Sequence, residues 1–203
     1  MPPNWSLLGV LGALSRGTGG CRKRVQPCGV SKAQADGDPG DLGGLREGEV
    51  AVALPPRFDA SLYFIGRIRT PWKRREDCPK NPRESDAACT IEVEARWTAG
   101  LAGLESVSHV VVLYWMDRAR RDLVLQAPHH YSERRGTFAL RSPVRPNPIA
   151  VSVARLVHLD GNRLTVIGLD CVDNTPLLDI KPYFASTDSV PDAAVGWHAG
   201  LKR

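Results

Sequence analysis

The sequence predicts an all-β domain, mainly an antiparallel β-barrel with short helices, behind a long flexible N-terminal extension. Segments with an apolar side chain at every second position recur after residue 60, and this is the pattern of half-buried strands. No long amphipathic helix separates these segments, so a sheet built from alternating strand and helix units is not expected. The turn sequence Asp160, Gly161 and Asn162 joins two of them as in a hairpin.

About eight strands are expected after residue 60. In chain order they are residues 61–69, 89–97, 109–116, 122–126, 136–140, 149–159, 163–170 and 177–181. The third of them (HVVVLYWM) is continuously apolar and rich in β-branched and aromatic side chains, which indicates a central strand. Residues 98–108 are expected to form a loop or a single helical turn.

Composition divides the chain near residue 60. Residues 1–60 hold 11 of the 19 glycines but only two of the 13 aromatic residues. The side chains that can fill a core therefore lie mostly in residues 61–203, where we predict a barrel domain behind a disordered or weakly structured leader. No base precedes the apolar run at residues 5–14, which argues against a secretory signal, while an excess of bases in the leader leaves a targeting peptide open.

Charge and cysteine content limit the class of protein. The net charge of +5 is compatible with a nucleic-acid partner but too small to indicate one. No run of 18 apolar residues is present, so no membrane span is expected. The five cysteines include no closely spaced pair, so we expect no metal site. An odd number of cysteines without a secretory signal favours reduced thiols and a cytoplasmic location.

Three segments interrupt the strand pattern with dense prolines and charges. They are residues 70–84 (TPWKRREDCPKNPRE), 140–149 (LRSPVRPNPI) and 170–183 (DCVDNTPLLDIKPY). Charged loops of this length in a compact domain are more often functional than idle, and arginine binds carboxylate or phosphate through two hydrogen bonds. The residues therefore predict a pocket for an anionic or nucleotide-like ligand. A solvated surface loop for the first segment and a rigid strand connector for the second stay open as alternatives.

These segments, in this order, resemble the YaeB/TsaA-like family, also called TrmO. The matching stretches are IGRIRTPW (65–72), SHVVVLYW (108–115), GTFALRSPVRPNPI (136–149) and DCVDNTPLLDIKPYFASTDSVPDA (170–193). The resemblance implies a small β-barrel methyltransferase that binds S-adenosylmethionine and works as a homodimer. It implies methylation of the exocyclic nitrogen of threonylcarbamoyladenosine next to the tRNA anticodon. Ala150 and Asn174 stand where the family usually has glycine; asparagine tolerates the positive φ that such a turn requires.

The resemblance also implies the residues of a cofactor pocket. They are Pro82, Arg83, Asp117, Arg118, Arg141, Asp170, Cys171, Val172 and Asp173. Because the acceptor nitrogen must lose a proton, we nominate Asp173 as the catalytic base and Lys181 as electrostatic support. Substrate-binding candidates are Arg145 for the threonyl carboxylate, Asn147 for the edge of the adenine, and Tyr183.

A different class of function is compatible with the same fold. The protein is then a sensor that binds S-adenosylmethionine, a methyltransferase for a small molecule, or an inactive dimeric module. A tRNA footprint requires clustered bases, and residues 67–83 supply seven of them: Arg67, Arg69, Lys73, Arg74, Arg75, Lys80 and Arg83. Binding along a phosphate backbone would depend steeply on salt.

Overall fold

The structure is a computed structural model that describes residues 44–128 and 133–198. These residues belong to one compact unit. Most of the predicted leader, residues 1–43, lies outside the described residues. Val50–Ala51 (β1), in the described part of the leader, pairs with a strand of the domain. The domain boundary near residue 60 stays a prediction.

Antiparallel strands form two sheets in the described residues. The strands are β2 (Gly66–Arg69), β3 (Ala88–Val93), β4 (His109–Trp115), β5 (Leu123–Gln126), β6 (Arg135–Gly136), β7 (Ile149–Asp160), β8 (Arg163–Ile167) and β9 (Thr175–Pro182). Six of them close a barrel in the order β2–β3–β8–β7–β4–β9, and a three-stranded sheet has the order β1–β5–β6. The predicted all-β barrel class is confirmed, and so is the hairpin that joins β7 to β8.

Short helical turns fill the connections. They are the 3-10 turns Arg75–Asp77, Pro82–Glu84, Ala95–Leu101, Leu104–Ser106, Thr137–Ala139 and Gly196–His198, and the short α-helix Ala185–Asp188. Four predicted strands were wrong in part. Those predicted at 61–69 and 163–170 are shorter in the structure, Gly66–Arg69 and Arg163–Ile167. The strand predicted at 89–97 ends at Val93, because the Trp97 amide donates to the Glu94 carbonyl oxygen at 2.8 Å and begins a helical turn. The strand predicted at 136–140 is a turn, because the buried Thr137 hydroxyl donates to the Leu123 carbonyl oxygen at 2.8 Å.

The core lies inside the barrel. Inward positions of β4 alternate as Val110, Val112 and Tyr114, each at most 2% exposed. They meet buried side chains from every other barrel strand, which include Ile68, Ile91, Ala154, Leu164, Val166 and Leu177. β4 pairs on both edges, with β7 and β9, as expected for a central strand. Its outward side chains are only half-buried.

The strand register divides the barrel into two ends. At the upper end β2 ends, β9 begins opposite it, and β8 leads into residues 168–174. At the lower end β3 ends and β4 begins. Residues 70–87, 116–128, 133–148 and 168–174 therefore lie at the upper end. Tyr183, whose amide donates to the His109 carbonyl oxygen at 3.0 Å, lies at the lower end. Two of the three proline-rich segments and the start of the third meet at the upper end.

No helix in residues 44–128 or 133–198 is long and apolar enough to cross a membrane. The same residues contain no group of three or more His, Cys, Asp or Glu side chains arranged to hold a metal ion.

Candidate functional site at the upper end of the barrel

Backbone hydrogen bonds join residues 70–84 to residues 168–174. The Thr70 amide donates to Asp173 Oδ1 at 3.1 Å, and the Asp173 amide donates to the Trp72 carbonyl oxygen at 2.7 Å. The Thr70 hydroxyl donates to the Cys171 carbonyl oxygen at 3.0 Å. Asn174 completes the turn with φ of +67°, as the sequence predicts for asparagine at this position. These contacts hold the two segments in one fixed arrangement.

The proline-rich loop, residues 140–148, is held by an arginine that the sequence analysis did not select. Arg121 donates to the Pro146 carbonyl oxygen at 2.6 Å and to Asn147 Oδ1 at 3.3 Å. Its guanidinium lies 5.4 Å from the ring centroid of Trp115 and 5.1 Å from that of Phe58, distances at which a cation attracts an aromatic face. Asn147 therefore helps to hold the loop through its side-chain oxygen.

Arg145 also bonds within the proline-rich loop. Its guanidinium donates to the carbonyl oxygens of Thr137 and Leu140 at 3.3 and 3.1 Å. The buried Gln126 amide adds a 2.6 Å hydrogen bond to the Val144 carbonyl oxygen. The loop is thus ordered by side chains, as expected where prolines have removed backbone donors.

Asp170 lies in a buried polar network. The Tyr114 hydroxyl donates to Asp170 Oδ1 at 2.7 Å and lies 2.9 Å from Ser152 Oγ. Burial raises the pKa of Asp170, although the Tyr114 hydrogen bond and the Arg141 charge oppose this. Burial also raises the pKa of Tyr114, so the phenol stays protonated and acts as a donor. Ala150 is directly opposite Tyr114 in the sheet and packs against the core.

Asp173, the predicted base, is anchored through both oxygens. Lys73 Nζ lies 2.7 Å from Oδ2, and the Thr70 amide binds Oδ1. The Lys73 hydrogen bond is the main cause that lowers the pKa of Asp173. A carboxylate with a lowered pKa is a weak proton acceptor at neutral pH. The geometry therefore suits Asp173 to holding the loops together better than to accepting a proton.

Two cationic side chains, Arg141 and Arg83, lie at the same end of the barrel. Arg141 donates to the Val151 carbonyl oxygen at 3.0 Å, and its charge acts on Asp170. Arg83 is exposed in the turn Pro82–Glu84, whose first amide is capped by the Asn81 side chain at 2.9 Å. Within the described residues, neither guanidinium forms an ion pair with an acid. The upper end therefore presents positive charge that is available to an anion.

The remaining cofactor candidates also lie at the upper end. The Met116 amide donates to the Pro148 carbonyl oxygen at 2.9 Å, which places the adjoining Asp117 and Arg118 beside the proline-rich loop. Burial raises the pKa of the Cys171 thiol to about 12. The Val172 carbonyl oxygen accepts from the Thr175 hydroxyl at 2.6 Å.

Lys181 and Tyr183 do not join the other predicted residues. Lys181 forms an ion pair with Asp179 on the outside of β9. Thr175 to Lys181 is a length of roughly 20 Å of extended strand, so Lys181 lies far from Asp173. The structure thus separates the two residues that the sequence placed together at one reacting centre.

Several of the seven predicted tRNA-binding bases are ion-paired. Arg69 lies 2.8 Å from Glu92, Lys73 lies 2.7 Å from Asp173, and Arg74 lies 2.9 Å from Asp77. Among the residues that the structure describes, the other four have no ion pair: Arg67, Arg75, Lys80 and Arg83. The free positive charge of this stretch is smaller than its composition indicates.

Tyr114, Ser152 and Arg121 belong to the candidate site but are not among the residues predicted from the sequence. Tyr114 follows Val110 and Val112 at the inward spacing of β4, and a buried phenol requires a hydrogen-bond partner. The sequence therefore predicts that the Tyr114 hydroxyl has a hydrogen-bond partner, but it does not identify that residue. Asp170 lies 56 residues away in sequence, and only closure of the barrel brings the two together.

Fold and site together define a small antiparallel β-barrel protein with a cluster of polar and charged side chains at one end. The chain belongs to the family described as the tRNA-methyltransferase O N-terminal domain, whose model matches residues 67–189. The family predicted from the proline-rich segments is confirmed.

Relatives and solved structures agree with this membership. The chain is 51% identical over 138 residues to "Probable S-adenosyl-L-methionine-binding protein VirR" of Rhizobium radiobacter, covering 68% of this chain and 79% of that protein. It is 39% identical over 143 residues to "Putative S-adenosylmethionine-dependent methyltransferase RcsF" of Pseudomonas aeruginosa, covering 67% and 62%. The crystal structure of TrmO from Pseudomonas aeruginosa matches with a TM-score of 0.57 and 34% identity, covering 72% of this chain and 64% of that one. The chain thus spans under two thirds of the last two proteins.

Proposed function

We propose that this protein methylates the exocyclic nitrogen of threonylcarbamoyladenosine next to the tRNA anticodon, with S-adenosylmethionine as cofactor. Membership of the tRNA-methyltransferase O family and the names of the relatives support the reaction class. The observation that supports the proposal most directly is the arrangement of charged side chains at the upper end. There a half-buried carboxylate, Asp170, lies within the field of a guanidinium, Arg141, that forms no ion pair in the described residues.

The residues present fit the proposed cofactor. S-adenosylmethionine carries a carboxylate, an ammonium group and ribose hydroxyls. Arg83 and Arg141 would hold the carboxylate, while Asp117 would accept hydrogen bonds from the ammonium group or the ribose. The proposed cofactor-binding set is Pro82, Arg83, Asp117, Arg118, Arg141, Asp170, Cys171, Val172 and Asp173. When bound, the cofactor supplies an electrophilic methyl group.

The chain itself orients the reactants. Asp173, Lys73 and Thr70 fix one wall of the site, and Arg121 fixes the proline-rich loop opposite. Walls that are ordered before binding lower the entropic barrier to a bimolecular transfer. Arg145 and Asn147 lie in this loop and are proposed to face the threonyl carboxylate and the adenine. Arg145 uses one terminal nitrogen on the loop backbone, and its other donors stay available.

Contacts at the lower end suit a long substrate. Tyr183 lies there, away from the anchored loops. A tRNA is long enough to touch both ends of the barrel, so a role of Tyr183 in binding tRNA would be remote from the reacting base. Lys181 has no proposed role at that base.

A homodimer is proposed from the outer surface of the barrel. Ile149, Val151 and Val153 point outward from β7 and are 38, 42 and 47% exposed. They pair with Trp115, Leu113 and Val111 of β4. A contiguous apolar face of this kind marks an interface, and a second copy of the chain would cover it symmetrically. A cytoplasmic location is proposed because three cysteines are free thiols, Cys78, Cys89 and Cys171.

Nucleoside mass spectrometry tests the reaction. The protein is incubated with methyl-labelled S-adenosylmethionine and tRNA that carries threonylcarbamoyladenosine, and the digested nucleosides are separated. We expect one labelled methyl group on that nucleoside. An unmodified transcript of the same tRNA is the control and should gain no label. Absence of label from the modified tRNA contradicts the proposal.

A sensor or small-molecule methyltransferase is the alternative function. The ion pairs of Arg69, Lys73 and Arg74 favour it, because paired bases contribute little to binding phosphates. The neighbours Arg74 and Arg75 provide a test, since in the described part of the chain Arg74 forms ion pairs and Arg75 forms none. If tRNA binds, Arg75→Ala should weaken binding more than Arg74→Ala and reduce the slope of log K against log salt by about 1. Binding that is undetectable or independent of salt supports the alternative.

A further inference from the structure

Asp170 and Asp173 lie three residues apart but are held in different ways. Asp173 accepts from Lys73 and Thr70, one donor on each oxygen. Asp170 accepts from Tyr114 and from its own backbone amide, and no other donor in the described residues contacts it. Asp170 can therefore accept further hydrogen bonds from a ligand. Both oxygens of Asp173 already accept hydrogen bonds from the protein.

The protons of the network can be assigned in order. Tyr114 has a single hydroxyl proton, and that proton lies toward Asp170 at 2.7 Å. Ser152, 2.9 Å from the phenolic oxygen, must then donate to Tyr114. The hydrogen bonds run from Ser152 to Tyr114 to Asp170, and Asp170 is the final acceptor. As long as the Tyr114 phenol stays protonated, neither Ser152 nor Tyr114 transfers a proton to Asp170.

Tyr114 is held rigidly inside the barrel. Its side chain is 2% exposed, Ser152 is 3% exposed, and β4 is paired on both sides. The ring cannot turn away without disturbing the core, so the hydroxyl fixes the position of the Asp170 carboxylate. A hydrogen bond from a buried donor to a charged acceptor stabilises a structure more than one between neutral groups.

The ionisable groups around Asp170 come from four segments. Tyr114 faces it from β4, Arg141 from the proline-rich loop, Cys78 from residues 70–84, and Cys171 adjoins it in sequence. Arg141 is the cation among them. Tyr114 and Arg141 favour the carboxylate, while burial favours the protonated acid more strongly. Because burial outweighs these two effects, the pKa of Asp170 is raised, whereas the pKa of Asp173 is lowered.

We propose that Asp170 is the proton acceptor of the upper-end site and that Tyr114 is the positioning residue that aims it. The inference rests on the proposed methyl transfer. The N–H bond of the acceptor nitrogen breaks, and its proton forms a bond to an oxygen of Asp170 through a lone pair of that oxygen. The electron pair stays on nitrogen and forms the new bond to carbon, as the leaving sulfur keeps the pair of the carbon–sulfur bond.

The first test uses the protein without ligand. Carboxyl ¹³C NMR follows the titration of Asp170 in the wild type and in Tyr114→Phe, which keeps the ring and removes only the hydroxyl. Loss of this donor destabilises the carboxylate, so the Asp170 titration should move to higher pH. Tyr183→Phe, at the lower end, is the matched control and should leave the titration in place. A folded Tyr114→Phe variant with an unchanged Asp170 titration overturns the positioning role.

The second test separates binding from proton transfer. Single-turnover methylation of modified tRNA is measured at saturating S-adenosylmethionine for Asp170→Asn and Asp173→Asn, and calorimetry measures the affinity for S-adenosylhomocysteine. Asp170→Asn should slow the saturated transfer by about 10²–10⁴-fold, whatever change in affinity for S-adenosylhomocysteine accompanies it. Asp173→Asn should slow it by about tenfold at most. Tyr114→Phe should move the acidic limb of the pH–rate profile to higher pH.

The outcomes distinguish this inference from the proposed function. If the wild type methylates tRNA and Asp170→Asn is equally fast, the proton-accepting role is overturned and the function stands. Lost affinity with an unchanged saturated rate makes Asp170 a ligand-holding residue and likewise overturns the role. A wild type that methylates no tRNA overturns the proposed function and this role with it, while the NMR test still decides whether Tyr114 controls Asp170.

Discussion

The two ends of the barrel are built from the same strands but have different chemistry. At the upper end, charged and proline-rich loops carry Asp170, Arg141 and Arg83. At the lower end, Leu101 and Leu104 are buried and line an open cavity, mostly apolar, with Asp179 as its carboxylate. The same strands therefore support a lower end that covers the apolar core and an upper end that exposes polar groups. Loops on a fixed scaffold commonly carry function in this way.

This difference teaches that substitutions at the two ends should affect different measurements. Changes at the lower end should lower stability and leave ligand affinity intact. Changes at the upper end should lower ligand affinity and alter stability by about 1 kcal/mol at most, because polar groups at a binding site are often held at some cost in folding free energy. The following variants test this separation.

The largest effect is expected from Gly66→Ala at the lower end. Gly66 is opposite Val93 and Leu177, and a Cβ atom there would collide with the Glu92 carbonyl oxygen. Since that oxygen belongs to the backbone of β3, relief requires a shift of the strand. We expect a loss of about 3 kcal/mol in the free energy of unfolding, measured by urea denaturation.

Gly100→Ala is the control for this substitution. Gly100 lies at the same end, and a Cβ atom there would have no neighbour within 4 Å. Its stability should stay within about 1 kcal/mol of wild type. Equal losses for the two variants would show that the close approach at Gly66 is unimportant.

The next largest effect is expected from Arg141→Ala at the upper end. Removal of its guanidinium takes one cation from the proposed carboxylate site and should weaken S-adenosylhomocysteine binding by about 10- to 100-fold. Arg163→Ala is the control, because Arg163 lies at the lower end and is paired with Glu92 at 3.0 Å. Calorimetry gives both affinities. A loss of the same size in Arg163→Ala would remove the distinction between the ends.

Asp173→Asn should change the pH dependence of stability. The folded protein lowers the pKa of Asp173, so its carboxylate stabilises the fold above the unfolded pKa, and this contribution is lost as pH falls through the folded value. At pH 7 we expect the variant to be less stable by about 0.5–1 kcal/mol. The effect is small because Lys73 is 71% exposed. Urea denaturation should show the gap closing below about pH 4; a gap that persists there contradicts the assignment.

Asp170→Asn should have the smallest effect on stability and the opposite sign. Its raised pKa means that the ionised carboxyl costs folding free energy at neutral pH, whereas stability is regained as pH falls below the folded pKa. An asparagine oxygen still accepts from Tyr114, so we expect an increase in Tm of about 2 °C at pH 7. The increase should disappear in acid. A lower Tm would show that the carboxylate stabilises the fold.

Much of the fold could be predicted from local patterns. β4 follows from a continuous run of apolar, β-branched and aromatic residues, and the β7–β8 hairpin follows from its turn sequence. Both are local properties. Apolar alternation predicts too long a strand beyond Val93. Ala95 and Trp97 continue the alternation, but they lie in a helical turn. Alternation reports which side chains are apolar, and it does not report where barrel closure ends a strand.

The candidate site could be predicted only in part. Residues 70–84 and 170–174 stand out through prolines and charges, and the structure brings them together. The error was to treat residues 170–183 as one unit, because Lys181 and Tyr183 follow a whole strand and reach the other end. The pairing of Arg69, Lys73 and Arg74 with acids was equally hidden, since two of those acids lie outside the basic stretch in sequence.

The sequence by itself determined the all-β class, the family and the loops that hold the polar and charged residues. Apolar alternation, turn residues and proline-rich motifs are all properties of residues that are adjacent in the chain. The tertiary structure decided which carboxylate of the site is anchored and which keeps accepting capacity. Tyr114 reaches Asp170 from 56 residues away, and Lys73 reaches Asp173 from 100 residues away. These contacts exist only when antiparallel strands close into a barrel, and burial, which raises the pKa of Asp170, arises from the same closure.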